Sequence, residues 1–335
     1  MNKQDQAAEF AAIEQLLVHY AQLSEEQQAI IAQKRLVGRK TPTEWLALLE
    51  RLIRYDAERE KVVGASSRKS WRNYGFNVGC YGFGLTFVGT LVLFFMADNF
   101  SIPWWSIPVF MGLSILSIII LLNTPRARHY RQMNRKLKQA MEADVPDFLR
   151  NLVAPLLVIL KEEMKPQALL TLRVDMRSRQ YKSGADPALK RNHRFASGYT
   201  LQGTDFSQHE WVMLTGRLHE GTHFQYRLTD DVIKRRLRKS KRKGYKYKDK
   251  YKIKQIQHLR LRLPASRYQV KKLPTTSKGA WQMALTKEAE RHVLKVKSQK
   301  KSKSLDTINL DKGPKLPEVF ALLKRAYSVV EEVKK

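Results

Sequence analysis

Residues 74–122 read YGFNVGCYGFGLTFVGTLVLFFMADNFSIPWWSIPVFMGLSILSIIILL, a long apolar stretch. Its two arms, residues 74–96 and 105–122, contain no Asp, Glu, Lys or Arg. Each arm is close to the roughly 20 residues that a helix needs to cross the hydrocarbon core of a bilayer. Since a helix satisfies its own backbone hydrogen bonds in lipid, the stretch predicts a two-helix transmembrane hairpin.

The charges around this hairpin predict its orientation. The link between the arms holds Asp98 and no Lys or Arg, whereas basic residues flank both ends: Arg68, Lys69, Arg72, Arg126, Arg128, Arg131, Arg135, Lys136 and Lys138. Because cationic flanks stay in the cytoplasm, we expect a multi-pass protein of the cell's inner (cytoplasmic) membrane with both termini cytoplasmic. Glycines one helical turn apart, Gly75 and Gly79, allow close helix packing in the first span. They indicate packing within the hairpin, a homo-oligomer or a protein partner.

Three domains follow from this assignment. Residues 1–73 are expected to form N-terminal cytoplasmic helices, residues 74–122 the hairpin, and residues 123–335 a basic cytoplasmic domain. Within the first part, Thr41-Pro42-Thr43-Glu44 is typical of a helix start, with Thr41 as the N-cap and Glu44 completing a capping box.

In residues 123–335 the spacing of apolar residues changes at Leu169 from the helical pattern to strict alternation. Apolar residues occupy every second position in residues 170–176, 212–218, 223–228 and 259–263. Such runs predict a mainly antiparallel sheet with one apolar face and one arginine-rich face. The arginines are Arg173, Arg177, Arg227, Arg260 and Arg262. Weaker strands are expected near residues 281–285 and 294–296, an irregular connection over 178–208 and a polar linker over 298–315.

The fold class predicted from these patterns is α+β. It consists of the transmembrane hairpin plus a cytoplasmic domain in which helices flank a mainly antiparallel sheet. The only cysteine, Cys80, lies in the first arm, so no intrachain disulfide forms. The pair Asp230-Asp231 is expected to end a strand and to hold the basic residues that follow it.

The net charge of +31 over 335 residues exceeds what membrane orientation requires and implies an anionic partner. Much of it lies in residues 234–254, KRRLRKSKRKGYKYKDKYKIK, where Asp249 is the only acid. We expect this run to be extended and mobile when free, because like charges repel. It predicts contact with acidic lipid headgroups, nucleic acid or an acidic protein; a solvated extension of a hairpin is the remaining alternative.

Proteins bind single-stranded nucleic acids with cationic side chains, which contact the phosphates, and with aromatic rings, which stack on the bases. The candidate stacking residues are Tyr245, Tyr247 and Tyr251. The candidate anion-binding residues are Lys234, Arg235, Arg236, Arg238, Lys239, Lys241, Arg242, Lys243, Lys246, Lys248, Lys250, Lys252, Lys254, Arg260 and Arg262.

One short motif, His219-Glu220-Gly221-Thr222-His223, fits the pattern H-E-x-x-H and so resembles the zincin metalloproteases. The resemblance implies zinc bound by His219 and His223 on a helix, with Glu220 activating the metal-bound water. The flanking residues alternate at period two, however, and Glu220-Gly221 lies where a tight hairpin turn would fall. Both interpretations remain open on sequence grounds.

The function predicted from the sequence is that of a membrane-anchored, non-enzymatic protein without a cofactor, whose basic domain binds an anionic partner. The alternative is a membrane metalloprotease with zinc. The sequence contains no P-loop, dinucleotide-binding fingerprint or nucleophile elbow that would indicate another enzyme class.

Overall fold

The structure is a computed structural model, which describes residues 3–65, 132, 135–136, 138–139, 142–190, 192–242, 244–271, 281–288, 290–303 and 316–333. The chain divides into two compact units, one of residues 1–23 and 54–144 and the other of residues 24–53 and 145–335. The helices are α1 (Lys3–Ala21), α2 (Glu25–Gln33), α3 (Pro42–Ala65), α4 (Ala154–Glu163) and α5 (Leu316–Tyr327), and a π-helical turn, Leu149–Val153, leads into α4. The strands are β1 (Arg35–Lys40), β2 (Leu170–Asp175), β3 (Lys182–Gly184), β4 (Thr200–Arg217), β5 (His223–Lys241), β6 (Gly244–Pro264), β7 (Tyr268–Val270), β8 (Trp281–Lys287), β9 (Arg291–Ser302) and β10 (Val330–Glu332).

The first unit contains α1 and the C-terminal part of α3. Ile13 of α1 and Tyr55 of α3 are buried, and the ring of Tyr20 lies 5.8 Å from that of Tyr55. His19 Nδ1 lies 2.6 Å from the Glu58 carboxylate. These contacts fasten α1 to α3, and burial raises the pKa of Tyr55 to about 12.

Helix α3 begins as its sequence predicts. The Thr41 backbone N–H donates to the Glu44 carboxylate at 2.8 Å, and the Glu44 N–H donates to Thr41 Oγ1 at 3.3 Å. This reciprocal pair is a capping box. The hydrogen bond from the Thr41 backbone, followed by that from its side chain, lowers the pKa of Glu44. The prediction of a helix start at Pro42 is confirmed.

The second unit is built on one large antiparallel sheet in the order β1-β2-β4-β5-β6-β9-β8, with β3 paired to the beginning of β4. A second, two-stranded sheet pairs β7 with β10. The antiparallel sheet that the alternating runs predict is therefore present. Its strands are longer than predicted, because β5 and β6 continue as a paired hairpin through the basic run to Lys241 and Gly244.

This length corrects two predicted loops. Residues 200–208, expected to be irregular, belong to β4, and residues 182–184 form β3. Residues 298–302, expected to belong to a linker, are the end of β9. In each case polar side chains hide the apolar period, while the neighbouring strand supplies the backbone hydrogen bonds that keep the segment extended.

One face of the sheet carries the core of the second unit. Cross-strand register aligns Leu172, Leu214, Tyr226, Leu259 and Val296 in a row across β2, β4, β5, β6 and β9, and all five are buried. Helices α4 and α5 lie on this face, where their side chains line a cavity together with those of the sheet. Odd-numbered residues of β6 therefore point toward the helices, and even-numbered ones point to the opposite, open face.

The predicted transmembrane hairpin is not supported. Within the described residues no helix is both long and apolar enough to cross a bilayer. The long helices α1 and α3 carry charged residues along their length, and the apolar helix α4 has only 10 residues, about half of what a span requires. The arms themselves, residues 74–96 and 105–122, lie outside the described residues.

The predictions that depended on the hairpin are corrected with it. The fold described here consists of helices and a large antiparallel sheet without a transmembrane hairpin. The integral two-span membrane partnership and the multi-pass inner-membrane location are likewise unsupported, since no spanning helix occurs in the described part of the chain. The predicted domain boundaries at 73/74 and 122/123 and the glycine-rich first span fall outside the described ranges.

Candidate nucleic-acid interface

A row of lysines runs along the open face of β6. Lys246, Lys248, Lys250, Lys252 and Lys254 occupy alternate positions of one strand, so their side chains leave the same face. At about 3.3 Å per residue, neighbours in the row stand about 6.7 Å apart. That spacing is about twice the 3.4 Å axial spacing of phosphates along one strand of a duplex.

The row continues inward along the same strand and onto β9. After Ile256 and His258, Arg260 and Arg262 follow on the open face of β6, and register places Lys295 directly beside Arg260. From Lys246 to Arg262 the cations extend for roughly 50 Å. We call this surface the cationic face; its members are Lys246, Lys248, Lys250, Lys252, Lys254, Arg260, Arg262, Lys295, Lys297, Lys301 and Arg227.

The five lysines of β6 have no acidic partners among the described residues. The described ion pairs of the neighbouring strands use other cations, namely Arg227, Lys234, Arg235, Arg236 and Lys300. Four of the five lysines are exposed and Lys254 is half-buried. Lys250 Nζ lies 5.0 Å from the Phe195 ring centroid, and Lys254 lies opposite Asp231 in the register of β5 and β6. Lys246, Lys248 and Lys252 are therefore the lysines of the row whose charge is most available to a partner outside the chain.

A groove of about 1010 Å³ lies on the open face beside this row. Its charged lining residues are four cations, Arg227, Arg260, Lys295 and Lys297, and two carboxylates, Glu210 and Asp231, and uncharged polar side chains such as Gln225 complete it. The Arg260 Nε is buried and has no hydrogen-bond partner in the described part of the chain. An unsatisfied buried donor is unfavourable, so a ligand with acceptor oxygens in the groove would stabilise it.

Two histidines report the positive charge of this face. Burial lowers the pKa of His258, and Lys297 and Arg227 lower it further, while Asp231 opposes them. Burial likewise lowers the pKa of His223, with added contributions from neighbouring arginines, of which Arg217 is the largest. Both imidazoles are disfavoured as cations, first because they are partly buried and then because their neighbours are cationic.

Three of the predicted anion-binding residues serve the fold instead. Lys234 lies 3.0 Å from Asp249, Arg235 lies 2.6 Å from Asp186, and Arg236 lies 3.1 Å from Asp205. Burial by itself would raise the pKa of Asp186, but hydrogen bonds, first that from Arg235, lower it. The first pair joins the two strands of the hairpin, and the other two hold the segment before β4 and β4 itself against it.

The other predicted cations lie toward the hairpin tip. Lys239 donates to the Ser197 carbonyl at 2.8 Å, and Lys241 and Arg242 are exposed. The Arg238 guanidinium lies 4.6 Å from the ring centroid of Tyr245. Lys243 lies outside the described residues. The run that was expected to be mobile is thus an ordered hairpin in which only part of the charge is committed to internal contacts.

The predicted stacking residues do not share the face of the lysines. Because tyrosines and lysines alternate along β6, the rings leave the opposite face. Tyr245 and Tyr247 are 60% and 69% exposed there. Tyr251 is half-buried and packs against the buried pair Val232 and Ile253, so its ring is committed to an internal contact.

Residues 218–222 form the turn between β4 and β5, and no part of the motif is helical. The Leu218 N–H donates to the Thr222 carbonyl at 2.8 Å, and Gly221 has a φ of +93°, a value that glycine adopts without steric cost. The side chains of the motif diverge. His219 is exposed, while His223 begins β5 beside Arg262 on the open face.

Glu220 points to the other side of the sheet, where its carboxylate accepts hydrogen bonds from Tyr268 and Tyr327. The zincin geometry, in which both histidines share one helical face, is absent from this turn. Within the described residues no group of three potential metal ligands includes His219 or His223.

Several residues of the cationic face were not singled out from the sequence. Lys295, Lys297 and Lys301 belong to it only through the pairing of β9 with β6. The alternation of Lys295, Val296 and Lys297 is a strand signal, but it does not name the neighbouring strand. Of the predicted arginine face, Arg173, Arg227, Arg260 and Arg262 lie on the open side, whereas Arg177 pairs with Asp175 beyond the end of β2.

Comparison of the chain with protein-family models, with curated proteins and with solved structures finds no match.

Proposed function

We propose that this chain is a non-enzymatic binding protein whose cationic face takes up a nucleic acid along its sugar–phosphate backbone. The observation that carries the proposal is the row Lys246, Lys248, Lys250, Lys252 and Lys254. It combines even spacing with the absence of acidic partners in the described chain. Lysines that are not held in ion pairs release bound counterions from a polyanion when they contact its phosphates.

The shape of the surface favours a linear polymer over a small anion. A site for one phosphate or carboxylate needs donors that converge on a point, whereas these cations follow a line of roughly 50 Å. An acidic protein would have to place carboxylates along the same line. A nucleic acid supplies that periodicity in any sequence.

The groove beside the row supports contact with more than phosphate. Gln225, Thr229 and Gln282 line it together with the arginines, and such side chains hydrogen-bond sugars and base edges as well as phosphates. The aromatic rings of the hairpin leave the opposite face. We therefore expect backbone contact to dominate and sequence preference to be weak.

The test measures binding of the full chain to fluorescent oligonucleotides, single-stranded and duplex, by anisotropy over a range of salt concentrations. The binding constant is expected to fall steeply with salt. In the triple variant Lys246→Gln, Lys248→Gln and Lys252→Gln, the slope of log K against log salt should become shallower by about 2 to 3, because each lost phosphate contact removes about 0.7 to 0.9.

A charge-matched control separates a local effect from a change in net charge. Lys61, Lys161 and Lys165 are exposed lysines of α3, α4 and the segment after α4, and their triple change to Gln removes the same charge. It should leave the slope within about half a unit of the wild-type value. Equal effects of the two triple variants, or wild-type chain that binds acidic protein or anionic vesicles but no oligonucleotide, would overturn the proposal.

A further inference from the structure

A second cavity lies on the apolar face of the sheet, away from the cationic face. It has a volume of about 350 Å³, lies between α4, α5 and the central strands, and opens to solvent beside the exposed Glu163 and Phe320. Leu160, Leu323 and Phe224 are among its apolar lining residues. The volume lies within the range of roughly 300 to 1,000 Å³ that small-molecule sites occupy.

The charge of this cavity is opposite to that of the chain. The net charge of the protein is +31, yet the charged residues among the described lining are Glu163 and Glu220, with no Lys or Arg. The nearby Arg267 is held by Glu332 at 2.8 Å, and its charge also interacts with that of Glu220 without Arg267 lining the cavity. An apolar chamber with carboxylates and no lining cation repels an anionic ligand and attracts a cationic one.

Glu220 is placed to receive a ligand at the end of the chamber. Its Oε1 accepts hydrogen bonds from the hydroxyls of Tyr268 at 3.4 Å and Tyr327 at 3.3 Å. Both are long for O–H···O bonds, whose usual length is about 2.7 Å. A ligand donor that forms a shorter hydrogen bond would therefore compete well for the carboxylate. The two rings stand 6.4 Å apart and tilted.

The tyrosines keep their protons in this setting. Burial raises the pKa of both Tyr268 and Tyr327, and the charge of Glu220 raises each further. Their hydroxyls therefore stay donors to the carboxylate, and their rings present neutral aromatic surfaces. Aromatic faces beside a carboxylate are the usual surroundings of a bound ammonium group.

We infer that this cavity binds a small amphipathic amine, with its apolar body between α4 and α5 and its ammonium group at Glu220. A fatty acid of the same size fits the apolar part but would bring a second carboxylate to Glu220 without a lining cation. A neutral alcohol would gain the apolar contacts alone. The inference is independent of the nucleic-acid proposal, because the cationic face lies on the other side of the sheet.

The experiment compares three probes that share one apolar chain and differ in the head group: octylammonium, octanol and octanoate. Binding to the full chain is measured by isothermal titration calorimetry at pH 7 and moderate salt, below the concentration at which the probes aggregate. Octylammonium is expected to bind one per chain, and octanoate at least tenfold more weakly. Glu220→Gln, which keeps an acceptor for the tyrosines, should weaken octylammonium by about tenfold to a hundredfold and leave octanol unchanged.

Two further variants test the location. Glu162→Gln removes an exposed carboxylate of α4 outside the cavity lining and should leave all three affinities unchanged. Leu323→Trp fills the chamber and should abolish binding of octylammonium and octanol. The inference fails if octylammonium does not saturate, if octanoate binds equally well, or if Glu220→Gln retains wild-type affinity. Oligonucleotide binding, measured on the same variants, should not change.

Discussion

Trp211 donates a hydrogen bond of 2.8 Å from its indole Nε1 to the carboxylate of Asp230. The same carboxylate oxygen accepts from Arg179 at 2.7 Å, and the Arg179 guanidinium lies 4.9 Å from the Trp211 ring centroid. Asp230 is completely buried. A buried carboxylate is tolerated only when it is paired and hydrogen-bonded, so these three side chains act as a unit that ties the segment after β2 to β4 and β5.

Asp230→Asn should therefore destabilise the fold strongly. The amide cannot neutralise Arg179, and leaving one member of a buried pair alone costs about 3 to 5 kcal/mol. Urea denaturation followed by circular dichroism measures the loss. The neighbouring change Asp231→Asn is the control, because Asp231 lines the open groove, and there a loss within about 0.5 kcal/mol is expected. Equal losses would contradict the role given to Asp230.

A second prediction separates structural cations from binding cations within the basic run. Arg235 holds the buried Asp186 through two hydrogen bonds of 2.6 and 3.1 Å. Arg235→Gln should lower the free energy of unfolding by about 1.5 to 3 kcal/mol, the range for hydrogen bonds between charged groups. Lys252→Gln on the cationic face should stay within about 0.5 kcal/mol but weaken oligonucleotide binding. Denaturation and anisotropy on both variants check this opposite pattern, and a matching loss of stability in Lys252→Gln would count against it.

Asp230 shows where prediction of the fold from the sequence succeeds and where it fails. The alternation of apolar residues indicates strands, a sheet and its apolar face correctly, because period two is a local property. It fails where a polar residue occupies a core position. Asp230 was expected to end a strand and hold the basic run; this was wrong, since β5 continues to Lys241. The partners that make Asp230 acceptable in the core, Arg179 and Trp211, are known only once the strands are paired.

The candidate site shows the same limit. The lysines of β6 could be found in the sequence because they are numerous and adjacent. The sequence could not show which cations of the basic run are held in ion pairs. Asp186 and Asp205, the partners of Arg235 and Arg236, lie far from them along the chain. The role of Glu220 was likewise hidden, since Tyr268 and Tyr327 reach it from later elements. The H-E-x-x-H match singled out Glu220 as part of a zinc site, which the turn does not form.

The third prediction concerns pH and stability. The pKa of His258 is lowered from an ordinary value of 6.5 by burial, then by Lys297 and Arg227. Between the folded pKa and 6.5 the unfolded chain binds more protons than the folded chain, so the free energy of unfolding falls as the pH falls through this window. Denaturation at pH 7.5 and 5.5 measures the fall. It should be smaller in His258→Gln than in the wild type, and His219→Gln, which changes an exposed turn residue, should match the wild type.

The affinity for a polyanion should depend on pH in the opposite direction from the stability of the fold. Phosphates beside His258 favour its protonated form, so oligonucleotide binding should strengthen as the pH falls from 7.5 to 6. In His258→Gln this strengthening should be smaller. An unchanged pH dependence of affinity in the variant would show that the phosphates do not reach the groove beside Lys297.

The last prediction tests which face of the hairpin meets the nucleic acid. Tyr245 and Tyr247 are exposed, and they leave the face opposite to the lysine row. A strand that follows the lysines cannot lie over these rings at the same time. The double variant Tyr245→Ala and Tyr247→Ala should therefore change single-strand affinity by less than about threefold, whereas loss of a true stacking contact costs about 1 to 3 kcal/mol per base.

Single-stranded and duplex probes must be compared in this double variant, because stacking requires unpaired bases. Unaltered affinity for both probes places the nucleic acid on the cationic face alone. A loss of tenfold or more for the single strand, with duplex affinity unchanged, would instead mean that the strand wraps around the hairpin edge. Arg238, 4.6 Å from the Tyr245 ring, would then be the cation that joins the two faces, and Arg238→Gln should reproduce part of that loss.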